Sequence, residues 1–320
     1  MDRISLGIDV GGTFTDFVVF NHETKSYSLG KRLSTPENPS KGILAGVQDL
    51  LTLLKISASA IEHVIHGTTM VANQIIERKG ATVGLISTEG FRDNLELGRE
   101  QRYDMYDLFI KRAEPLVPRY LRRTIFERVD WEGNVLRPLK IEQVDTIMEL
   151  FINAGVGAVA VSFMHAYRNP EHEQKIRDYL KKLHPDLHVS ISSEVSPEVR
   201  EHQRTSTTVA NAYVQPAVDL YLDDLERGLK KLGSDGTVYI MLSGGGVTTV
   251  DVARTVPIRM VESGPAAGAI AGSYYGKLRN ESNVLSFDMG GTTAKICLIN
   301  DSVPSTASEI EVAREHRFKK

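Results

Sequence analysis

The sequence predicts an α/β protein in which mixed sheets are flanked by helices, and three observations predict it. The chain opens on an antiparallel strand pattern, then settles into alternating strand and helix signals that indicate a mostly parallel layer. One strand–turn–strand unit, Ile8-Asp9-Val10-Gly11-Gly12-Thr13-Phe14-Thr15-Asp16, recurs as Leu285-Ser286-Phe287-Asp288-Met289-Gly290-Gly291-Thr292-Thr293. Apolar alternation follows both copies, as Phe17-Val18-Val19-Phe20 and Ile296-Cys297-Leu298-Ile299. At 320 residues, 41% hydrophobic and 25% charged, the chain can fold as two ordinary domains with real cores.

Chemistry concentrates in the repeated unit. Its glycines can take φ > 0 and admit a ligand to the backbone with no Cβ in the way. Such a turn exposes successive amide N–H groups, and with neighbouring threonine hydroxyls they form a concave donor set suited to phosphate oxygens. Gly11, Gly12, Thr13, Thr15, Gly290, Gly291, Thr292 and Thr293 are therefore the candidate phosphate-binding residues. Asp9 and Asp288 end their strands just before the turns, where a carboxylate beside phosphates is tolerated when a hard cation such as Mg²⁺ lies between them. Two such hairpins face to face would hold a nucleotide's phosphates and metal from both sides. One Asp-x-Gly-Gly-Thr alone could be an ordinary hairpin with a turn aspartate, but a matched pair is hard to obtain from turn chemistry.

Between the copies the elements follow in order. Tyr27 to Arg32 adds a third antiparallel strand, and a breaker cluster at Thr35–Ser40 stops it. Ile43, Leu44, Val47, Leu50, Leu51 and Leu54 form one apolar stripe on a helix capped by Ser40. Ile61 to Thr69 is a strand ending in His66-Gly67-Thr68-Thr69 before a helix through Asn73. His66 and Thr68 then stand at the carboxyl end of a sheet strand, where open α/β sheets bind ligands; a histidine satisfied by a backbone carbonyl is the other reading. Ala81–Ser87 is a buried strand. Phe91 to Arg123 is an irregular excursion in which Arg99 and Tyr103 are candidate substrate-facing residues, as guanidinium forks and phenols position polar planar ligands. A strand at Thr124–Val129, a helix at Ile141–Asn153, a strand at Ala158–Phe163, a helix from Asn169 and a strand at Leu187–Ile191 continue the alternation. A long helix from about Arg200 to Lys231, broken or bent at Pro216, precedes a strand entering Ser243-Gly244-Gly245-Gly246. Glu262 to Gly268 opens a helix of small residues whose N-terminus attracts anions, or which packs as a tight hinge.

The formal charge of −3 leaves no basic footprint for nucleic acid. The single cysteine, Cys297, rules out an internal disulfide framework and fits a reducing compartment, so cytoplasm is expected. Met1-Asp2-Arg3 runs straight into a strand without a secretory signal, and no apolar run reaches membrane-spanning length, so no membrane association is expected. His165, His172, His184 and His188 lack a trustworthy metal-binding spacing.

The paired turns resemble the two phosphate-binding turns of the actin, sugar kinase and heat-shock-70 ATPase superfamily, which implies a ribonuclease H-like duplicated ATPase fold around an ATP cleft. With His66-Gly67-Thr68-Thr69, Asn73, Glu77-Arg78-Lys79-Gly80-Ala81, Ser263-Gly264-Pro265-Ala266-Ala267-Gly268 and Asp288 to Lys295 in order, the chain resembles the hydantoinase A, 5-oxoprolinase and acetone carboxylase family over nearly its whole length. The resemblance implies a hydrolase that uses ATP to phosphorylate an amide oxygen and so opens hydantoins, N-methylhydantoin or 5-oxoproline. A ketone carboxylase subunit and a non-catalytic ATP-switched module are the alternatives. It also implies ATP and Mg²⁺ as cofactors, Asp9, Asp288 and Lys295 as catalytic residues, Mg²⁺ held through water by Asp9 and Asp288, and His66, Thr68 and Asn73 facing substrate beside Arg99 and Tyr103. Lys295 either neutralises phosphate charge or points to solvent. Residues 1–193 correspond to the family's N-terminal domain and 194–320 to the beginning of its catalytic domain. The family's chains are longer, so the C-terminal part is expected to be truncated before the adenosine site, and a hydantoinase B-type subunit and a homo-oligomer are the expected partners.

Overall fold

The computed structural model describes residues 3–35, 37–99, 103–104, 106–110, 113–289 and 294–312. Two compact units share the chain: one joins the segment up to Asn73 with Val218–Ile310, and the other joins Gln74–Ala217 with the segment from Glu311.

The first unit opens with β1 (Ile4–Val10), β2 (Phe14–Asn21) and β3 (Tyr27–Leu33), an antiparallel meander. Alternation along the strands turns Ile4, Leu6, Ile8, Val10, Phe17 and Val19 to one buried face. Helix α1 (Pro39–Leu54) packs there through Ile43, Val47, Leu50 and Leu51. Gly46 makes the approach possible, since a Cβ there would stand 2.4 Å from the Phe17 ring. The cap is Asn38 rather than Ser40: the Asn38 side chain accepts from the Lys41 amide at 3.1 Å, and Pro39 takes the first helical position. Ser40 donates instead to the Tyr221 carbonyl at 3.3 Å. Strand β4 (Ile61–Thr68) then pairs parallel with β1, and α2 (Met70–Ile76) follows it.

The second unit holds β5 (Val83–Thr88), the short α3 (Asn94–Leu97) and β6 (Arg122–Ile125), then a two-stranded hairpin of β7 (Arg128–Val129) and β8 (Val135–Arg137). Helix α4 (Gln143–Asn153), β9 (Ala158–Ser162), α5 (Glu171–Leu183), β10 (His188–Ile191) and α6 (Ser192–Val195) complete its alternation. All four strands of its sheet run parallel in the order β10-β9-β5-β6, and β5 and β9 are buried along their whole length, as covered parallel strands require. Helix α7 (Glu201–Lys231) passes through Pro216 unbroken. Proline costs an interior helix about 3 kcal/mol, but Ala212, Val214, Val218 and Leu222 around it are fully buried and hold both flanks.

The chain then rejoins the first unit. Strand β11 (Thr237–Met241) lies parallel to β4 and carries β12 (Val247–Thr249) on its outer edge, so the six-stranded order is β12-β11-β4-β1-β2-β3. Helices α8 (Val250–Thr255) and α9 (Ser263–Leu278) lead to a second antiparallel sheet of β13 (Val284–Met289), β14 (Ala294–Asn300) and β15 (Val303–Pro304). Helix α9 touches β4 and β11 of the first sheet and β13, β14 and β15 of the second. Its glycines allow this: a Cβ at Gly272 would lie 3.1 Å from Ile299 Cδ1 and 3.5 Å from Ser286 Cβ. Among the described residues no helix is long and apolar enough to cross a membrane.

Candidate functional site

The first turn joins β1 to β2. Neither Gly11 nor Gly12 takes a positive φ, which corrects the sequence expectation. Their value is room: a Cβ at Gly12 would meet nothing within 4 Å. The Gly11 amide donates to the Phe14 carbonyl at 2.9 Å, and no hydrogen bond among the described residues takes the amides of Gly12 and Thr13. Two successive donors at an exposed turn remain for an anion. Thr15 sits beneath the turn, 2% exposed, so its hydroxyl does not reach that surface. It lies 3.1 Å from Ser34 Oγ, which donates to the Gly11 carbonyl at 2.8 Å; Thr15 must therefore supply the proton to Ser34. This relay braces the turn from the core side.

Asp9 stands on the opposite face of β1 from the α1 core. Across the sheet it is level with Asp16 on β2 and Gly67 on β4, and Asp16 is in turn paired with Lys31 at 2.8 Å. Asp9 opens to solvent, yet protein crowds its carboxyl: desolvation first, then the like charges of Asp16 and Asp288, raise its pKa above the ordinary carboxylate value. Two glycines make its surroundings hollow. A Cβ at Gly67 would lie 3.1 Å from Asp9 Oδ1, and one at Gly264, in the first turn of α9, 3.7 Å.

Helix α9 sets this corner. Ser263 Oγ donates to the Thr68 carbonyl at 3.1 Å and accepts from the Thr68 amide at 3.3 Å, pinning the helix start to the end of β4. On β13, Asp288 shares a face with Ser286, which packs on α9, and its charge reaches Asp9. Lys295 lies directly across from Asp288 on β14, and its ammonium pairs with Glu262 at the α9 N-cap rather than standing free. Burial lowers its pKa. Gly290, Gly291, Thr292 and Thr293 lie outside the described residues. Mutually repelling carboxylates, a hollow floored by two glycines and two adjacent unspent amides suit a hard cation with a polyphosphate.

The other expected site residues separate. His66 is fully buried, its Nδ1 3.3 Å from the Ile8 carbonyl and its Nε2 2.5 Å from the Tyr221 hydroxyl, so it does not face substrate. Burial drives its pKa down to about 4, which keeps the ring neutral. It ties β4 to the strand bearing Asp9. Thr68 is 1% exposed and accepts from the Met70 amide at 3.2 Å, so it too is internal. Asn73 is exposed and donates to Thr69 Oγ1 at 3.3 Å. Arg99 and Tyr103 belong to the other compact unit, where Arg99 Nε and Nη2 lie 2.9 and 3.0 Å from the Gln203 side chain oriented to accept. Among the described residues no cluster of three or more metal-ligating side chains occurs. Sequence reasoning missed Asp16, Ser34, Glu262 and Tyr221. Asp16 could have been found, because it pairs with Asp9 across a tight hairpin; Tyr221 could not, because nothing local links it to His66.

The sequence matches the hydantoinase/oxoprolinase N-terminal region over residues 5–184 and the hydantoinase/oxoprolinase region over residues 204–318. An uncharacterized protein of Methanocaldococcus jannaschii is 40% identical over 97% of this chain and 45% of its own length. The caprolactamase subunit alpha of Pseudomonas jessenii is 36% identical over 92% of this chain and 43% of its own. The crystal structure of the ATP-dependent caprolactamase from that organism superposes with a TM-score of 0.83 at 35% identity, over 92% of this chain and 43% of that one. A nucleotide-free acetone carboxylase structure also gives 0.83, at 28% identity over 94% of this chain and 44% of that one. The fold is thus of the actin-like ATPase type, and the chain spans less than half the length of these relatives.

Proposed function

This chain belongs to the hydantoinase/oxoprolinase family, and we propose that it carries the nucleotide turns of an ATP-dependent hydrolase that opens a small cyclic amide, a lactam or a hydantoin. The observation that carries the reading is the placement of Asp9: a raised carboxyl in a glycine-floored hollow, under the charge of Asp288 and beside the free amides of Gly12 and Thr13. When bound, ATP supplies a phosphoryl group to the amide oxygen and so converts a resonance-stabilised carbonyl into a centre that water can attack. Asp9 and Asp288 would hold Mg²⁺ through water, and the cation would neutralise phosphate charge. The Gly12 and Thr13 amides bind and orient phosphate oxygens, and Gly290, Gly291, Thr292 and Thr293 are assigned the same role. His66 and Thr68 keep the β1 and β4 ends rigid, and Lys295 is freed for phosphate only by leaving Glu262.

The closer identity to a caprolactamase subunit, 36% against 28% for the acetone carboxylase structure, favours ring opening over ketone carboxylation. We assign residues 1–193 to the N-terminal domain and 194–320 to the start of the catalytic domain, and expect a cytoplasmic enzyme working with a B-type subunit. The test is ADP release by the full-length protein with its partner subunit. Lactam or hydantoin should stimulate release, and Asp9→Asn should abolish it. Release that needs bicarbonate and a ketone replaces this reading with the carboxylase one.

A further inference from the structure

A second place in the molecule is built like a site and lies wholly within the other compact unit. A cavity of about 440 Å³ opens between the β8 hairpin and the start of α5, within the range of small-molecule sites. Val135, Leu139 and Ile141 form its apolar side, and Glu171, His172 and Lys175 its polar side.

The histidine is anchored through one ring nitrogen. Its side chain is 6% exposed, and Nδ1 lies 2.9 Å from Oε2 of Glu127, which is completely buried. The other Glu127 oxygen accepts from the Thr88 hydroxyl, and Thr88 Oγ1 accepts from the Met164 amide at 2.9 Å. Each member of this chain is spoken for except one atom. No hydrogen bond among the described residues engages His172 Nε2. A ring whose Nδ1 proton is fixed by a carboxylate presents Nε2 as an acceptor when neutral. One helical turn further, Lys175 offers donors on the same helix face and is presently paired with Glu171 at 2.5 Å.

We infer that this cavity is a binding site for a small cyclic amide, whose ring N–H donates to His172 Nε2 and whose adjacent carbonyl accepts from Lys175, with the ring methylenes against Val135, Leu139 and Ile141. An acceptor on His172 and a donor one helical turn along the same face, with an apolar wall lining the same cavity, match the N–H and C=O edge of a lactam or imide. The choice of cyclic amide rests on the reading proposed above; the existence of a site does not.

The experiment is titration of the protein with ε-caprolactam and with hydantoin, without nucleotide, by calorimetry and by ¹⁵N spectra of the histidine rings. Saturable one-to-one binding that shifts the His172 Nε2 resonance is expected. Leu139→Trp, which fills the cavity from its apolar side, and Lys175→Met should each weaken binding by at least about tenfold; both keep the Glu127–His172 pair, and thermal melting checks that they remain folded. Absence of saturable binding, an unmoved Nε2 resonance, or affinity within about twofold of wild type in either variant overturns the inference. Asp9→Asn separates the two proposals, because it should leave this affinity unchanged. Lactam binding here without lactam-stimulated ADP release sinks the hydrolase reading alone; stimulated release with binding untouched by Leu139→Trp sinks the site alone.

Discussion

Replacing Gly67 by alanine tests the reason that a glycine stands beside Asp9. The new methyl would sit 3.1 Å from Asp9 Oδ1, closer than carbon and oxygen ordinarily pack, and Gly67 has no positive φ that alanine would strain. For the fold alone the change is neutral to favourable, because alanine restricts the unfolded chain and contributes about 0.4–1 kcal/mol of stability where the backbone is compatible. It would also take up space that a water on a cation held at Asp9 would need. Losing one such water-mediated contact should cost on the order of 1.4 kcal/mol, or about tenfold in affinity. Stability and ligand affinity are therefore expected to move in opposite directions. Thermal melting with and without Mg²⁺ and ATP reads both: apo Gly67→Ala melts at or slightly above wild type, and the nucleotide-dependent rise in melting temperature shrinks. A variant that binds Mg·ATP as tightly as wild type would refute the assignment of this hollow to the cation.

Three further outcomes follow from the same geometry. Asp9 has a pKa raised above its unfolded value, so the native state binds more protons than the unfolded one and its charge costs stability at neutral pH; Asp9→Asn should melt higher than wild type at pH 7, with the advantage vanishing as the pH falls below the ordinary carboxylate range in a melting series. His66, with its pKa lowered to about 4, works the other way: the unfolded chain takes up its proton first, so about 3 kcal/mol of stability drains away as the pH falls from the ordinary histidine value toward 4, and denaturant titrations of His66→Gln should lack that acid-side slope. Ser34→Ala should destabilise by about 1–2 kcal/mol, since it strands the buried Thr15 hydroxyl and loosens the Gly11 carbonyl, and it should weaken nucleotide binding while Ser28→Ala, within β3, does not.

The strands and helices were legible because each is signalled locally. Period-2 alternation marked β1 and β2, and the apolar stripe of α1 was plain even though its cap shifted from Ser40 to Asn38, where Pro39 fixed the start. The antiparallel opening followed by a parallel layer was read correctly, and so was the small-residue helix after Glu262. Pro216 does not break α7, because proline's local penalty is outweighed by burial on both sides that no window of sequence displays. The interleaving of the chain between two compact units was equally invisible, as it depends on β11 returning to pair with β4. At the site, the turns mark Asp9 and Asp288 as candidates, whereas His66 and Thr68 at the end of β4 are internal. A strand end shows in sequence; which side chains there turn to the core depends on partners as remote as Tyr221 and Ser263.

Helix α9 has the role of a shim. It contacts both the sheet that carries Asp9 and the hairpin that carries Asp288, so how closely those two can approach depends on how small its side chains stay. A methyl group added at Gly272 would press on Ile299 and Ser286, and so push the hairpin away from α9, without touching either acid. The calibre between the two acids is thus set in part by Gly272, whose nearest neighbours include neither of them.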